Sequence, residues 1–194
     1  MNVLQRNFVM DNYCIKTYDD VVSEEFCASV IKTFEVDETS QHRLERNGRP
    51  NLTRLDVTHQ YLNRKERWID IHKKLQDTFL DYIQRYQEDY NVVEDFPKRY
   101  SVEEFNIKRY NVGDEFADHV DSVDLASAQR FLAFFLYLND VEEGGETVFP
   151  KLGLTVEPKR GKLLLFPPFW MYRHAGRPVI RGKKYITGSY LHYR

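Results

Sequence analysis

The sequence predicts an α+β fold that is mainly β, with helices first and a strand-built core after them. Three observations carry this. Apolar residues recur at helical spacing in two stretches before residue 100. From Ser101 onward the pattern changes to short strand-like runs. Glycines and prolines then punctuate the chain at intervals typical of an all-β barrel or jelly roll.

Taken in order, Ser23 followed by Glu24 and Glu25 predicts a helix start, because acidic residues are favoured in a first turn. Phe26, Val30, Ile31 and Phe34 continue it at helical spacing. A longer amphipathic helix is predicted from about Trp68 to Tyr90, with Ile71, Leu75, Phe79, Tyr82, Ile83 and Tyr86 as a stripe that packs on a core. Between the helices, Gln41 to Arg67 is polar and rich in arginine, with a turn signal at Asn47-Gly48. This stretch reads as a solvated loop and edge strand, or else as a mobile, basic lip over a site. Strands are then predicted at Glu103 to Tyr110, Arg130 to Asn139, Glu146 to Phe149, Leu154 to Glu157, Lys162 to Phe166 and Lys184 to His192. RFLAFFLYLN, from Arg130, is apolar enough for a central strand buried on both faces.

At 194 residues and 42% hydrophobic, the chain suffices for one well-buried core, and a single domain over 1–194 is expected, with helical support up to about residue 100. A net charge of −2 gives no global attraction for phosphate backbones or acidic membranes, so nucleic acid is disfavoured as a partner. Cys14 and Cys27 are too few for a disulfide scaffold and read as two reduced thiols. MNVLQRNFVMDNYC has no long apolar leader, and no membrane-length apolar run follows. The expectation is a cytoplasmic protein away from the membrane.

The chemistry concentrates in three places. His119 and Asp121 are two apart, so in an extended segment their side chains leave from one face, as two ligands of one metal must. His174 supplies a second imidazole, and two imidazoles with one carboxylate are the set that holds a non-haem Fe(II) while leaving the opposite face open. Lys184 adds a positive charge that could hold an anionic co-substrate. Alternation along the last strand sends Lys183 and Lys184 to opposite faces, so only one can point inward. Each element alone is a weak signal.

Together with YNVGDEF before His119, Gly144-Gly145-Glu146-Thr147 after the buried strand, and Ala175-Gly176-Arg177-Pro178-Val179 after His174, they resemble the prolyl 4-hydroxylase branch of the Fe(II)- and 2-oxoglutarate-dependent dioxygenases. The resemblance runs from about Glu103 to the C-terminus and implies a double-stranded β-helix (jelly-roll) core. It implies that His119, Asp121 and His174 bind iron, that Lys184 pairs with the distal carboxylate of 2-oxoglutarate, and that Thr147 and Tyr110 flank that co-substrate. O2 is the oxidant implied, with ascorbate as an accessory reductant. Glu103 and Arg130 match positions that contact the peptide or shape the pocket beside the target ring, and Arg130 is counted with the catalytic group. Arg54, in TRLDV, loosely resembles an arginine that clasps the peptide. Tyr190 falls where the family often has tryptophan. Phe116 departs from a usual tyrosine, which removes a polar contact near the substrate.

The resemblance implies hydroxylation of a protein or peptide residue, proline foremost, coupled to decarboxylation of 2-oxoglutarate to succinate and CO2. Two alternatives stand beside it. One keeps the cofactors but acts on another side chain, a free amino acid or a nucleobase. The other is a jelly-roll binding module without turnover, which would have no chemical need for the full His-Asp-His-Lys set.

Overall fold

The computed structural model describes residues 14–194, so the opening segment read above for a leader lies almost wholly outside the described residues. In chain order, β1 (Lys16–Tyr18) precedes helix α1 (Glu24–Val36), strands β2 (His42–Glu45) and β3 (Asn51–Asp56), and helices α2 (Val57–Leu62) and α3 (Glu66–Asp89). Strands β4 (Tyr100–Val102), β5 (Asn106–Tyr110), β6 (Phe116–His119) and β7 (Arg130–Tyr137) follow. The rest is β8 (Glu143–Gly144), β9 (Thr147–Phe149), β10 (Leu154–Val156), β11 (Leu163–Phe166), β12 (His174–Gly176), β13 (Val179–Arg181) and β14 (Lys184–Tyr193). No helix among the described residues is long and apolar enough to cross a membrane.

The main sheet has eight strands in the order β1-β11-β7-β14-β5-β3-β2, with β4 also on β14. A four-stranded sheet, β10-β9-β12-β6, and a ribbon of β13 and β8 complete the β structure. Alternation along the strands divides the core in two. Phe134 and Leu136 of β7, Leu163 and Leu165 of β11 and Tyr185 of β14 join the helix residues Phe34, Leu75, Phe79 and Ile83. The intervening Phe135, Tyr137, Leu164, Phe166 and Ile186 instead meet Phe149 and Val156 of the smaller sheet. The main sheet is thus covered by helices on one face and by the second sheet on the other. That is why β7 is apolar on both faces, as its sequence predicts.

The helices form for local reasons. Ser23 accepts a hydrogen bond from the Phe26 amide at 3.2 Å and caps α1, with Glu24 and Glu25 in its first turn. Cys27, Val30 and Phe34 are its buried face. In α3 the predicted stripe is buried together with Trp68, whose Nε1 donates to Asp37 at 2.8 Å. Tyr82 is half-buried, its ring 5.0 Å from that of Tyr18.

One expectation needs correction. Residue 100 does not separate helices from strands, because β1, β2 and β3 belong to the main sheet. The arginine-rich stretch follows its edge-strand reading: it forms the β2–β3 hairpin at the sheet edge, followed by α2 and the start of α3 where a loop was expected. Leu52, Leu55 and Val57 anchor it in the core, and Arg43 makes a two-pronged ion pair with buried Asp114 at 2.7 and 2.6 Å. Its turn takes positive φ at Asn47 and Gly48, and backbone bonds tie the tip to Glu115 and Ala117 of the β6 region.

Candidate active site

Strands β6 and β12 run antiparallel with His119 and His174 directly opposite each other. Asp121 follows β6 by two residues, and one ligand atom from each of the three lies within 4.8 Å of the others. His119 Nε2 is 3.4 Å from one Asp121 carboxylate oxygen and His174 Nε2 is 3.6 Å from the other. Both imidazoles are oriented in the same way. Nδ1 of His119 lies 2.8 Å from the carbonyl of Ala117, and Nδ1 of His174 lies 3.0 Å from that of Tyr172. With Nδ1–H donating to these carbonyls, each Nε2 lone pair faces the shared space, the arrangement that fixes a metal-binding tautomer. The Phe116 ring stacks on His119, centroids 3.5 Å apart and planes 7° apart, and holds it flat.

Protonation suits a divalent cation. Burial alone would push the Asp121 carboxyl up, but the neighbouring His174 and His119 outweigh it and leave the group at about 2. Burial lowers the His174 imidazolium below its ordinary value despite the pull of Asp121. The Asp121 carboxylate is therefore ionised, and burial favours the neutral form of the His174 imidazole. Among the described residues Asp121 Oδ2 is buried without a hydrogen-bond partner, an expensive state for a carboxylate oxygen unless a cation meets it. The residues therefore fit a metal with two nitrogen ligands and one oxygen ligand.

The same pocket contains Lys184, Tyr110 and Thr147. Lys184 is 1% exposed, whereas Lys183 lies exposed on the opposite face, as strand alternation requires. Lys184 stands opposite Tyr110 in the β14–β5 pair, and its Nζ donates to the Gly145 carbonyl at 2.7 Å. Thr147 accepts a hydrogen bond from the Tyr137 hydroxyl at 2.7 Å. Gly176 borders the lysine, since a Cβ built there would lie 3.5 Å from Nζ.

A neighbouring cleft, open to the metal-ligand residues, gathers Arg54, Glu103, Arg130, Phe116 and Tyr190. Arg130 grips Glu103 with two bonds of 2.7 and 2.8 Å, donates to the Asp121 carbonyl at 3.0 Å, and lies 4.1 Å over the Tyr190 ring. It thus braces the segment that presents Asp121. Arg54 is exposed at the rim, on β3. Every residue picked from the sequence falls in one of these two connected spaces. Sequence reasoning missed Lys108, Phe135 and Ile186 there. Lys108 was recoverable, because it lies two residues before Tyr110 on the same strand and must share its face.

Comparison with known proteins agrees with this geometry. Residues 105–192 match the family model of the 2OG-Fe(II) oxygenase superfamily. The chain is 33% identical over 110 residues to prolyl 4-hydroxylase subunit alpha-1 of Gallus gallus, covering 48% of this chain and 21% of that protein. It is 34% identical over 123 residues to prolyl 4-hydroxylase 13 of Arabidopsis thaliana, covering 50% of this chain and 44% of that protein. The chain therefore spans less than half the length of these curated relatives. Among solved structures, the viral collagen prolyl hydroxylase of Paramecium Bursaria Chlorella virus-1, in its 2OG complex, superposes with a TM-score of 0.67 at 22% identity, covering 96% of this chain and 99% of that one. A Trichoplax adhaerens prolyl hydroxylase, in complex with a hypoxia inducible factor oxygen degradation domain peptide fragment, gives 0.70 at 15% identity, covering 94% and 85%. Residues 105–192 thus match the 2OG-Fe(II) oxygenase superfamily and are similar to the prolyl 4-hydroxylases.

Proposed function

We propose that this protein is an Fe(II)- and 2-oxoglutarate-dependent oxygenase that hydroxylates a residue of a peptide or protein, proline foremost, while 2-oxoglutarate is decarboxylated to succinate and CO2. The observation that carries the proposal is the convergence of His119, Asp121 and His174, ligand atoms within 4.8 Å, in one pocket with buried Lys184. The two facing sheets are read as the double-stranded β-helix of such enzymes.

His119, Asp121 and His174 would hold the iron. Fe(II) with 2-oxoglutarate and O2 supplies the oxidising chemistry that no side chain of this chain can provide. The protein's own contribution is placement. Lys184 would pair with the distal carboxylate of 2-oxoglutarate, with Thr147 and Tyr110 beside it. Apolar walls from Phe135 and Ile186 keep water out and strengthen that attraction. Arg130, through Glu103, Tyr190 and the Asp121 carbonyl, would act as a positioning residue, and Arg54 would receive the peptide at the rim.

A second reading keeps the cofactors but changes the target side chain, and Phe116 favours it. Its ring is spent stacking on His119 and offers the substrate no hydroxyl. Anaerobic addition of Fe(II) and 2-oxoglutarate should give a visible metal-to-ligand charge-transfer band. Aerobic incubation with proline peptides, with and without ascorbate, should give succinate and a peptide heavier by one oxygen. No band and no succinate would instead indicate a binding module, whereas succinate with unmodified proline would move the target to another residue.

A further inference from the structure

We propose that Lys108 and Arg54 form a subsite for a carboxylate of the substrate, so that the preferred peptide carries an acidic residue next to the one hydroxylated. The inference rests on the oxygenase reading above and names the substrate chemistry of that same site.

Arg54 and Lys108 are cross-strand partners in the β3–β5 pair, and both border the cleft that opens on His119 and Asp121. Two like charges opposite each other on adjacent strands repel. Other arginines of this sheet are each met by a carboxylate: Arg43 by Asp114, Arg109 by Glu35 and Arg130 by Glu103. Lys108 has no such partner among the described residues; its ammonium only lies 5.0 Å over the Phe135 ring. Arg54 likewise has no ion pair there. Of the acids bordering the cleft, Glu103 is committed to both prongs of Arg130 and Asp121 to the space between the two histidines, while exposed Glu104 forms no ion pair with either cation among the described residues. Half-buried and without an ion pair among the described residues, the Lys108 ammonium is pushed down by burial, with Asp121 pulling the other way and Arg130 and Arg54 adding to the fall.

The co-substrate does not account for this charge. Of its two carboxylates, one belongs with the metal and the other with Lys184. Lys108 lies one side-chain row further along the barrel floor, opposite Ile186 in the β5–β14 pair, on the way from Lys184 toward Arg130 and Tyr190. In the row after it Gly188 leaves room for Phe135 to pack close, since a Cβ there would strike the Phe134 carbonyl and the Phe135 ring.

The test uses the whole protein loaded with Mn(II) and 2-oxoglutarate. Peptides with Glu immediately before or after a central proline are compared with their Gln counterparts by calorimetric titration. The better Glu peptide should bind about tenfold more tightly than its Gln counterpart, as befits a charged hydrogen bond. In Lys108→Met that ratio should fall below about twofold, and in Arg54→Gln it should fall part of the way. Measured below about pH 7, where Lys184 is charged with or without its neighbour, the affinity for 2-oxoglutarate itself should stay within about twofold in Lys108→Met. Equal or absent binding of both peptide types by the wild type overturns the proposal, as does a Glu preference that survives Lys108→Met. A fall of about tenfold in 2-oxoglutarate affinity in Lys108→Met also overturns it, by giving the lysine to the co-substrate. Failure of the wild type to bind 2-oxoglutarate at all is a distinct result that removes the oxygenase reading.

Discussion

Lys184 and Tyr110 stand opposite each other across β14 and β5, with the lysine Nζ 4.8 Å above the centre of the tyrosine ring. Burial and the nearby Lys108 push that ammonium down to about 7, with Glu146 pulling weakly the other way. A carboxylate that binds there holds the lysine charged, so its value is higher in the bound state than in the free one. Affinity for 2-oxoglutarate should therefore be full below about pH 7 and fall about tenfold per unit above it, until the bound-state value is passed. Binding at pH 8 should take up a proton, detectable by calorimetry in buffers of different ionisation enthalpy. Lys184→Met should abolish both the pH dependence and the proton uptake. It should also weaken 2-oxoglutarate by at least about 100-fold, because breaking a buried charge pair costs about 3–5 kcal/mol.

The metal triad makes a prediction that does not depend on turnover. Mn(II) at 100 times its dissociation constant should stabilise the wild type by about 2.7 kcal/mol. That corresponds to a rise in Tm of about 5–10 °C for a chain of this size. His174→Ala and His119→Ala should each lose the shift while keeping the wild-type far-ultraviolet circular dichroism. A retained shift in His174→Ala would take that residue out of the metal site.

Arg130 braces the Asp121 segment through a planar fork, and lysine cannot reproduce a fork. Arg130→Lys should lower kcat/KM for a peptide substrate by about 10–100-fold, the value of one or two charged hydrogen bonds. Mn(II) binding should survive, since the three ligands remain. A loss of metal affinity equal to the loss of kcat/KM would mean that the arginine acts only by holding Asp121 in place.

Phe134 tests the packing that carries the site. It is fully buried, 4.4 Å from the Phe79 ring of α3 and 6.3 Å from Phe105, and so joins the helical layer to the central strand. Phe134→Ala should cost about 3–5 kcal/mol, read as a lower urea midpoint with an unchanged slope.

Much of this was legible because short-range chemistry decided it. Ser23 caps its helix with its own hydroxyl, and β7 announces two buried faces by an unbroken apolar run. The His-x-Asp spacing places two ligands on one side of an extended chain. What stayed hidden depends on partners distant in sequence. β6 and β12 are short and not distinctly apolar, and they exist as strands because they pair with each other and β12 also pairs with β9. The six-residue α2 is held by Asp56, which accepts from the His59 amide at 2.8 Å, and by burial of Val57 and Gln60. Lys108 was visible as a neighbour of Tyr110, but its meeting with Arg54 is a matter of register between β3 and β5, which nothing local specifies.

Strand β14 is paired on both edges, by β7 and β5, and presents Lys184 at one end and Tyr190 near the other. At about 3.3 Å per residue the two stations stand about 20 Å apart, and no loop intervenes to change that. The strand therefore works as a fixed gauge between the proposed co-substrate anchor and the proposed substrate clasp. A one-residue insertion between them would turn one of the two out of the barrel altogether. New substrate preferences on this scaffold have to come from exchanging side chains at set stations such as 54, 108 and 130, because the stations themselves cannot slide.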